Sequence, residues 1–242
     1  MILARTFGIT KRIIKQILRD RRSVAMIFAV PLVVMALVGV SFNKNQELLN
    51  FVGPALICTF VLFFTFILTG ISFLRERSEG TLDRLLTTPI RRIDIILGYS
   101  LSFFLFALIQ SSIIISFSIF VLDIINQGEI WHMFLVVILL SLVAVNLGVF
   151  VSTFAKNEFQ VMQFIPLFIV PQIFLCGVIQ PVENLPNILQ YVSKILPLTY
   201  AVNGLRSIMI QGSNLTVVGE EILILSVFAS LFVILASLSI KR

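Results

Sequence analysis

The chain has 242 residues, of which 58% are hydrophobic and 12% charged, against about a quarter charged in an ordinary soluble domain. A mean hydropathy of +1.06 excludes that class. One histidine, His132, and two cysteines, Cys58 and Cys176, none at metal-ligand spacing, leave no basis for a metal centre.

Ahead of the first apolar window, Ile9, Ile13, Ile14, Ile17 and Leu18 recur at helical spacing while Arg5, Lys11, Arg12, Lys15, Arg19 and Arg22 fill most other positions. Residues 1–22 are therefore expected to form a basic amphipathic helix. It would lie in the membrane interface with its isoleucines at the acyl boundary and its cations near headgroups. Six uncharged windows follow, Ser23–Phe42, Leu48–Leu74, Ile95–Leu122, Ile130–Ala155, Phe159–Val182 and Ile222–Ile240. Each can cross a hydrocarbon core of about 30 Å as a helix of about 20 residues. Continuous apolarity, rather than alternation over about ten residues, excludes a β-barrel. The predicted fold class is an all-α integral membrane protein, a single transmembrane domain with a six-helix bundle over 23–240. The first window exceeds the 7–15 residues of a signal-peptide core and no small-residue cleavage site follows, so it is expected to remain in the mature chain.

Between the second and third windows, Leu82, Leu85 and Leu86 form one apolar edge at i, i+3, i+4 spacing. Gly80 permits a sharp turn before them, Thr81 can cap, Asp83 suits the first turn, and Pro89 stops the helix by disfavouring helical geometry at Thr88. A short amphipathic helix is predicted, lying across the ends of two spans. The loop after the fourth window, Thr153–Gln160, carries Lys156, Asn157 and Glu158. Between the fifth and sixth windows, Pro181, Pro186 and Pro197 punctuate an amphipathic stretch from Leu185 to Leu196, which fits either a helical hairpin dipping into the outer leaflet or an interfacial loop. Pro31, Pro54, Pro166 and Pro171 are candidate helix breaks.

Fifteen of the 18 basic residues fall before the first span, between the second and third, after the fourth, and at the end of the chain. The positive-inside rule makes those segments cytoplasmic, with both termini. This topology accounts for the net charge of +6 without nucleic acid.

The segment from Glu76 to Pro89 resembles the coupling loop of type-2 ATP-binding-cassette transporter permeases. Glu76, Gly80, Thr81, Leu82, Asp83, Leu85, Thr88 and Pro89 fill the pattern Glu-x-x-x-Gly-Thr-Leu-[Glu/Asp]-x-Leu-x-x-[Thr/Ser]-Pro. Gly177 to Arg206 is similar to the family's external re-entrant region. The resemblance implies the permease subunit of an exporter in the cell membrane, paired with a second permease copy and seated on a separate nucleotide-binding subunit that holds ATP and magnesium. It implies that the segment around Gly80 is the coupling helix, with Glu76, Glu79, Asp83 and Arg84 orienting the docking by charge. Lys156, Asn157 and Glu158 would form a smaller second contact. Pro181, Pro186, Pro197, Tyr200 and Arg206 would belong to an external gate. The outer loop Asn43–Glu47 is too short for the large external domain of some relatives, which leaves exporters of drugs, antibiotics, lipids or glycans as the comparison.

No Gly-x-x-x-x-Gly-Lys-[Ser/Thr] phosphate loop occurs in the chain, and no catalytic constellation or cofactor site is expected in it. An ion-coupled carrier is the rival reading, together with a non-transporting sensor or assembly subunit. Carriers place ionisable groups inside their spans, where each costs about 2.5–3.5 kcal/mol at the helix centre; the windows here lack them. The 23 phenylalanines suit an amphiphilic substrate and a lipid-facing surface equally. Leu85→Asp is expected to leave membrane insertion intact while uncoupling transport from ATP hydrolysis, measured as substrate efflux at matched expression; normal efflux would count against a coupling role.

Overall fold

The computed structural model of the chain describes residues 2–42, 44–87 and 92–239. The predicted helix stop at Thr88 and Pro89 lies outside these residues, as do the side chains of Asp83 and Leu85. Helices account for the regular structure, with no strand among the described residues. An amphipathic α1 (Ile2–Arg19) leads into α2 (Arg21–Ser41), α3 (Gln46–Ser78), the short α4 (Thr81–Leu86), α5 (Arg92–Phe120) and α6 (Ile130–Ser152). Then come α7 (Glu158–Phe168) and α8 (Val170–Leu175), a 3-10 turn at Val182–Asn184, α9 (Asn187–Ser193), α10 (Pro197–Gln211) and α11 (Gly219–Ser239). Six stretches, with α7 and α8 counted as one, are long and apolar enough to cross a membrane.

α3 and α6 form the centre. Of their apolar windows, 61% and 67% are buried within the chain, against 17% in α2 and in α11. The two central helices approach closely because glycines meet where they cross. A Cβ on Gly148 would stand 2.9 Å from the Phe66 carbonyl oxygen and 3.0 Å from the Thr69 Cβ, and one on Gly70 would touch Val161 at 3.0 Å. In lipid, where apolar faces gain nothing by leaving the solvent, such close contact is what holds helices together.

Three sequence expectations are corrected. The isoleucines of α1 do not face lipid; Ile9, Ile13 and Ile17 are buried in a cluster with Ile95, Ile96 and Tyr99 of α5. Gly98 makes this possible, since a Cβ there would lie 2.7 Å from Ile9 Cγ2, and the Thr10 hydroxyl donates to the Gly98 carbonyl at 3.2 Å. Only the outer edge, with Leu18 at 54% exposure, faces away. The fifth span is not one helix to Val182. It breaks at Ile169 and ends at Leu175, because Pro171 has no N–H for the Leu167 carbonyl and crowds it. Pro31, Pro54 and Pro166, by contrast, sit inside continuous helices.

The third correction is α10. Its 15 residues fall in what the sequence marks as a loop region, yet Leu198, Ala201, Val202, Leu205, Ile208 and Met209 are all buried in the main core cluster with α3 and α6 residues. Pro197 opens it and Gly212, at φ +65°, closes it in the left-handed region. At about 22 Å it is too short to cross the membrane.

Gly148→Val is expected to lower the unfolding midpoint of the detergent-solubilised chain by several degrees, as overpacking at about 1–3 kcal/mol implies. Gly8→Val, on α1 where a Cβ meets nothing within 4 Å, should leave it nearly unchanged. Equal midpoints for the two variants would remove the glycine crossing from the account.

Candidate functional site

α3 runs 33 residues, about 50 Å, and so extends well past a 30 Å core. Its last turns therefore carry Arg75, Glu76 and Arg77 as helical residues rather than as the loop predicted from sequence. Glu79 caps the helix by donating its N–H to the Arg75 carbonyl at 2.9 Å. Gly80, at φ +69°, reverses the chain, a conformation that side-chain-bearing residues rarely adopt. The N–H of Arg84 then donates to the Gly80 carbonyl at 3.1 Å, which makes Gly80 the cap of α4 and Thr81 its first helical residue. The predicted short helix is present, with its cap one residue earlier than expected. Leu82 is buried against the bundle in the cluster that holds Ile95 and Ile96, while Glu79 and Arg84 are exposed.

Glu76 is not on this surface. Its side chain points into the bundle and is 4% exposed. Arg12 of α1 donates to its carboxylate at 2.5 Å, and the Tyr99 hydroxyl of α5 donates to the same oxygen at 2.6 Å. Arg12 also donates to the Tyr99 oxygen at 3.0 Å, and the Tyr99 ring stands edge-on to Phe73 at 5.0 Å. A docking role by exposed charge is thereby corrected for Glu76. Its acidity is used within the chain, because a buried carboxylate needs a cation and hydrogen-bond donors in place of water.

The loop after α6 is fastened to the end of α3 by two arginines. Arg75 grips Glu158 through Nε at 2.6 Å and Nη2 at 3.3 Å, a bidentate geometry, and lies 4.0 Å from Asp20. Arg77 donates to the Thr153 carbonyl at 2.5 Å and to the Ala155 carbonyl, taking up acceptors of the loop that follows α6. Asn157 caps α7 by accepting from the Gln160 N–H at 2.9 Å, and Gln160 answers by accepting from the Lys156 N–H at 2.7 Å. Lys156 is exposed. The structure thus places both sequence-marked segments at the same end of α3: α4 follows it through Gly80, with Glu79 and Arg84 exposed, and the 153–158 loop is held to its last turns by Arg75 and Arg77.

At the opposite end the marked residues do not form one cluster. Pro181 and Pro186 precede the 3-10 turn and α9, and Pro197 starts α10. Arg206 donates to the carbonyls of Gly177 at 2.8 Å and Phe51 at 3.3 Å, with its guanidinium 4.2 Å over the Phe51 ring. Tyr200 turns the other way, donating to the Lys194 carbonyl at 2.7 Å with its ring beside Phe228 of α11. Arg206 joins three segments and Tyr200 joins two others.

Sequence reasoning missed Arg12 and Tyr99 as partners of Glu76, and it read Arg75 and Arg77 only as topology markers. The one usable signal was Glu76 itself, an acid at the edge of a long apolar window.

Residues 5–210 match the family described as ABC-2 type transporter. The chain is 28% identical over 181 residues to the probable multidrug ABC transporter permease YbhR of Escherichia coli K12, covering 75% of this chain and 49% of that protein. It is 28% identical over 203 residues to the inner membrane transport permease YhhJ of the same strain, covering 83% and 54%. With ABC transporter G family member 20 of Dictyostelium discoideum it shares 28% identity over 173 residues, 72% of this chain and 24% of that protein. The chain thus spans from about a quarter to half the length of these relatives. With the family match extending over most of the residues that build the bundle, the short α4 and α10, the chain belongs to the ABC-2 type transporter family of membrane permeases.

Proposed function

We propose that this chain is the membrane-spanning permease subunit of an exporter that moves an amphiphilic substrate outward, driven by ATP hydrolysis on a separate nucleotide-binding subunit. ATP and magnesium belong to that partner. The α4 end faces the cytoplasm, together with both termini, and the re-entrant α8–α10 region faces outward. The observation that supports the reading is the pair of arginine clamps, which fasten the 153–158 loop to the end of α3, the same helix that leads through Gly80 into α4. Glu79, Arg84 and Lys156 offer exposed charge of both signs for complementary docking. A second permease copy completes the transporter. Gln163 supports this, because its carboxamide is exposed on a membrane-spanning segment, where a protein partner or a hydrated path satisfies it better than lipid does.

Affinity isolation of the tagged chain in mild detergent from its native cell tests the reading. A stoichiometric ATP-binding subunit is expected. Isolation without one, from cells that make such subunits, together with ATP-independent export, would overturn it.

The Arg75–Glu158 pair is 47% exposed on both sides and so contributes little to stability, about 0.2–1 kcal/mol; its role lies in orientation. Arg75→Glu is expected to lower ATP-driven export by about two- to tenfold at unchanged expression. Adding Glu158→Arg should restore most of that loss. Absence of rescue, measured as ATP-driven uptake into inverted vesicles, would separate the pair from coupling.

A further inference from the structure

α1 runs across the end of α3 rather than along it. Arg12 reaches Glu76, and Asp20, eight positions later and so about 12 Å further along, lies 4.0 Å from Arg75, the adjacent residue of α3. α1 also packs on α5 between Ile95 and Ser102, within about 12 Å of the start of that span at Asp94. Its level is therefore the boundary between headgroups and hydrocarbon. The chain itself covers one side of the helix: Thr6, Ile9, Thr10, Ile13 and Ile17 are buried, and Arg12 is turned to Glu76. The remaining arc, at about 100° per residue, passes from Phe7 and Leu18 through Lys11 and Lys15 to Arg19 and points away from the packed face. Phe7 is 68% exposed and Leu18 54%. Lys11, Lys15 and Arg19 are exposed and stand one turn apart in a single row. None of the three forms an ion pair among the described residues, and α1 contains no acidic residue. Like charges at this spacing repel along a helix, so an anion beside the row is stabilising.

From this arc we infer a docking surface selective for anionic phospholipid, with Phe7 and Leu18 entering the acyl boundary and Lys11, Lys15 and Arg19 taking the phosphates beside them. This edge is distinct from the isoleucine edge, which α5 covers. Water alone would leave Phe7 and Leu18 hydrated at a cost. An acidic patch on a soluble partner would have to reach beside the first turns of a span to cover them. A zwitterionic headgroup brings its own ammonium to the row and gains less there than a headgroup of net negative charge. Arg12 lies next to Lys11 in the chain, so lipid held by the row steadies the helix that keeps Glu76 paired. The surface goes beyond the export reading and does not rest on it, since lipid selectivity is measured without ATP, substrate or a partner subunit.

The chain has one tryptophan, Trp131, at the start of α6, so a full-length chain carrying W131F and L18W reports from α1 alone. Its fluorescence is followed in phosphatidylcholine vesicles as dibrominated phosphatidylglycerol or dibrominated phosphatidylcholine is added as quencher. Phosphatidylglycerol is expected to quench as if enriched about fivefold or more near residue 18. The preference should shrink toward parity in about 1 M salt, which screens charge beyond about 3 Å; this arm needs no further substitution. Adding K11Q, K15Q and R19Q, three exposed positions, should also bring it to parity at an unchanged unfolding midpoint. The wild-type chain, reporting from Trp131 beside Glu129, should show no enrichment. Equal quenching by the two lipids at residue 18, a preference no greater than at Trp131, or one that survives both salt and the triple substitution would overturn the inference. Shielding of residue 18 from both quenchers by an added ATP-binding subunit would overturn it too, by giving the surface to a protein.

Discussion

Moving a carboxylate out of water costs several kcal/mol unless a cation and hydrogen-bond donors replace its hydration. Glu76 meets that condition by holding Arg12 at 2.5 Å and the Tyr99 hydroxyl at 2.6 Å. Because the three groups come from α3, α1 and α5, satisfying one charge fixes the positions of three helices. α1 then cannot lie freely in the interface. Its isoleucine face is turned onto α5, where Gly98 leaves room for Ile9. Removing Arg12 would leave the buried Glu76 carboxylate with the Tyr99 hydroxyl but no cation, a larger penalty than the loss of an exposed ion pair such as Arg75–Glu158.

α3 carries this arrangement to both ends of the bundle. Near its start, the Phe51 carbonyl and ring receive Arg206 from α10. At its middle, the glycine crossing with α6 sets the closest approach in the core. At its far end, Arg75 and Arg77 hold the 153–158 loop and Gly80 releases the chain into α4. Pro54 does not interrupt it, so displacement at one end of this single helix has few internal joints at which to be absorbed.

The parts of this fold that were legible in the sequence are those that depend on one segment alone. Apolar length located five of the six spans to within a few residues, the fifth ending at Leu175 rather than Val182, and the positive φ that Gly80 supplies was foreseeable from the glycine before a leucine edge. What depended on two distant segments was not legible. Nothing at Glu76 or Arg12 names the other, 64 positions away, and Arg77 shows no sign of seeking the carbonyls at Thr153 and Ala155. α10 was hidden for a related reason. Thr199, Asn203, Arg206 and Ser207 interrupt its apolar run, and its helicity is secured by burial against α3 and α6 rather than by a pattern that reads as a span. α1 shows the converse error: the amphipathic period was right, but the pattern alone did not say whether lipid or protein would cover the apolar face.

The same ambiguity bears on what surrounds the bundle. α2 and α11 present Val33, Leu37, Val227 and Leu231 outward, and in a bilayer such faces require no partner, since lipid tails cover them as well as protein does. Exposed apolar area is therefore weak ground for a second subunit in this class of protein. α7 differs because Gln163 lies on its bare face, about 8 Å into the helix from Glu158. A primary amide in hydrocarbon costs several kcal/mol unless its groups are satisfied, whereas a leucine there costs nothing. The proposed second copy is accordingly placed along α7 rather than α11, where Met162 and Gln163 are both exposed.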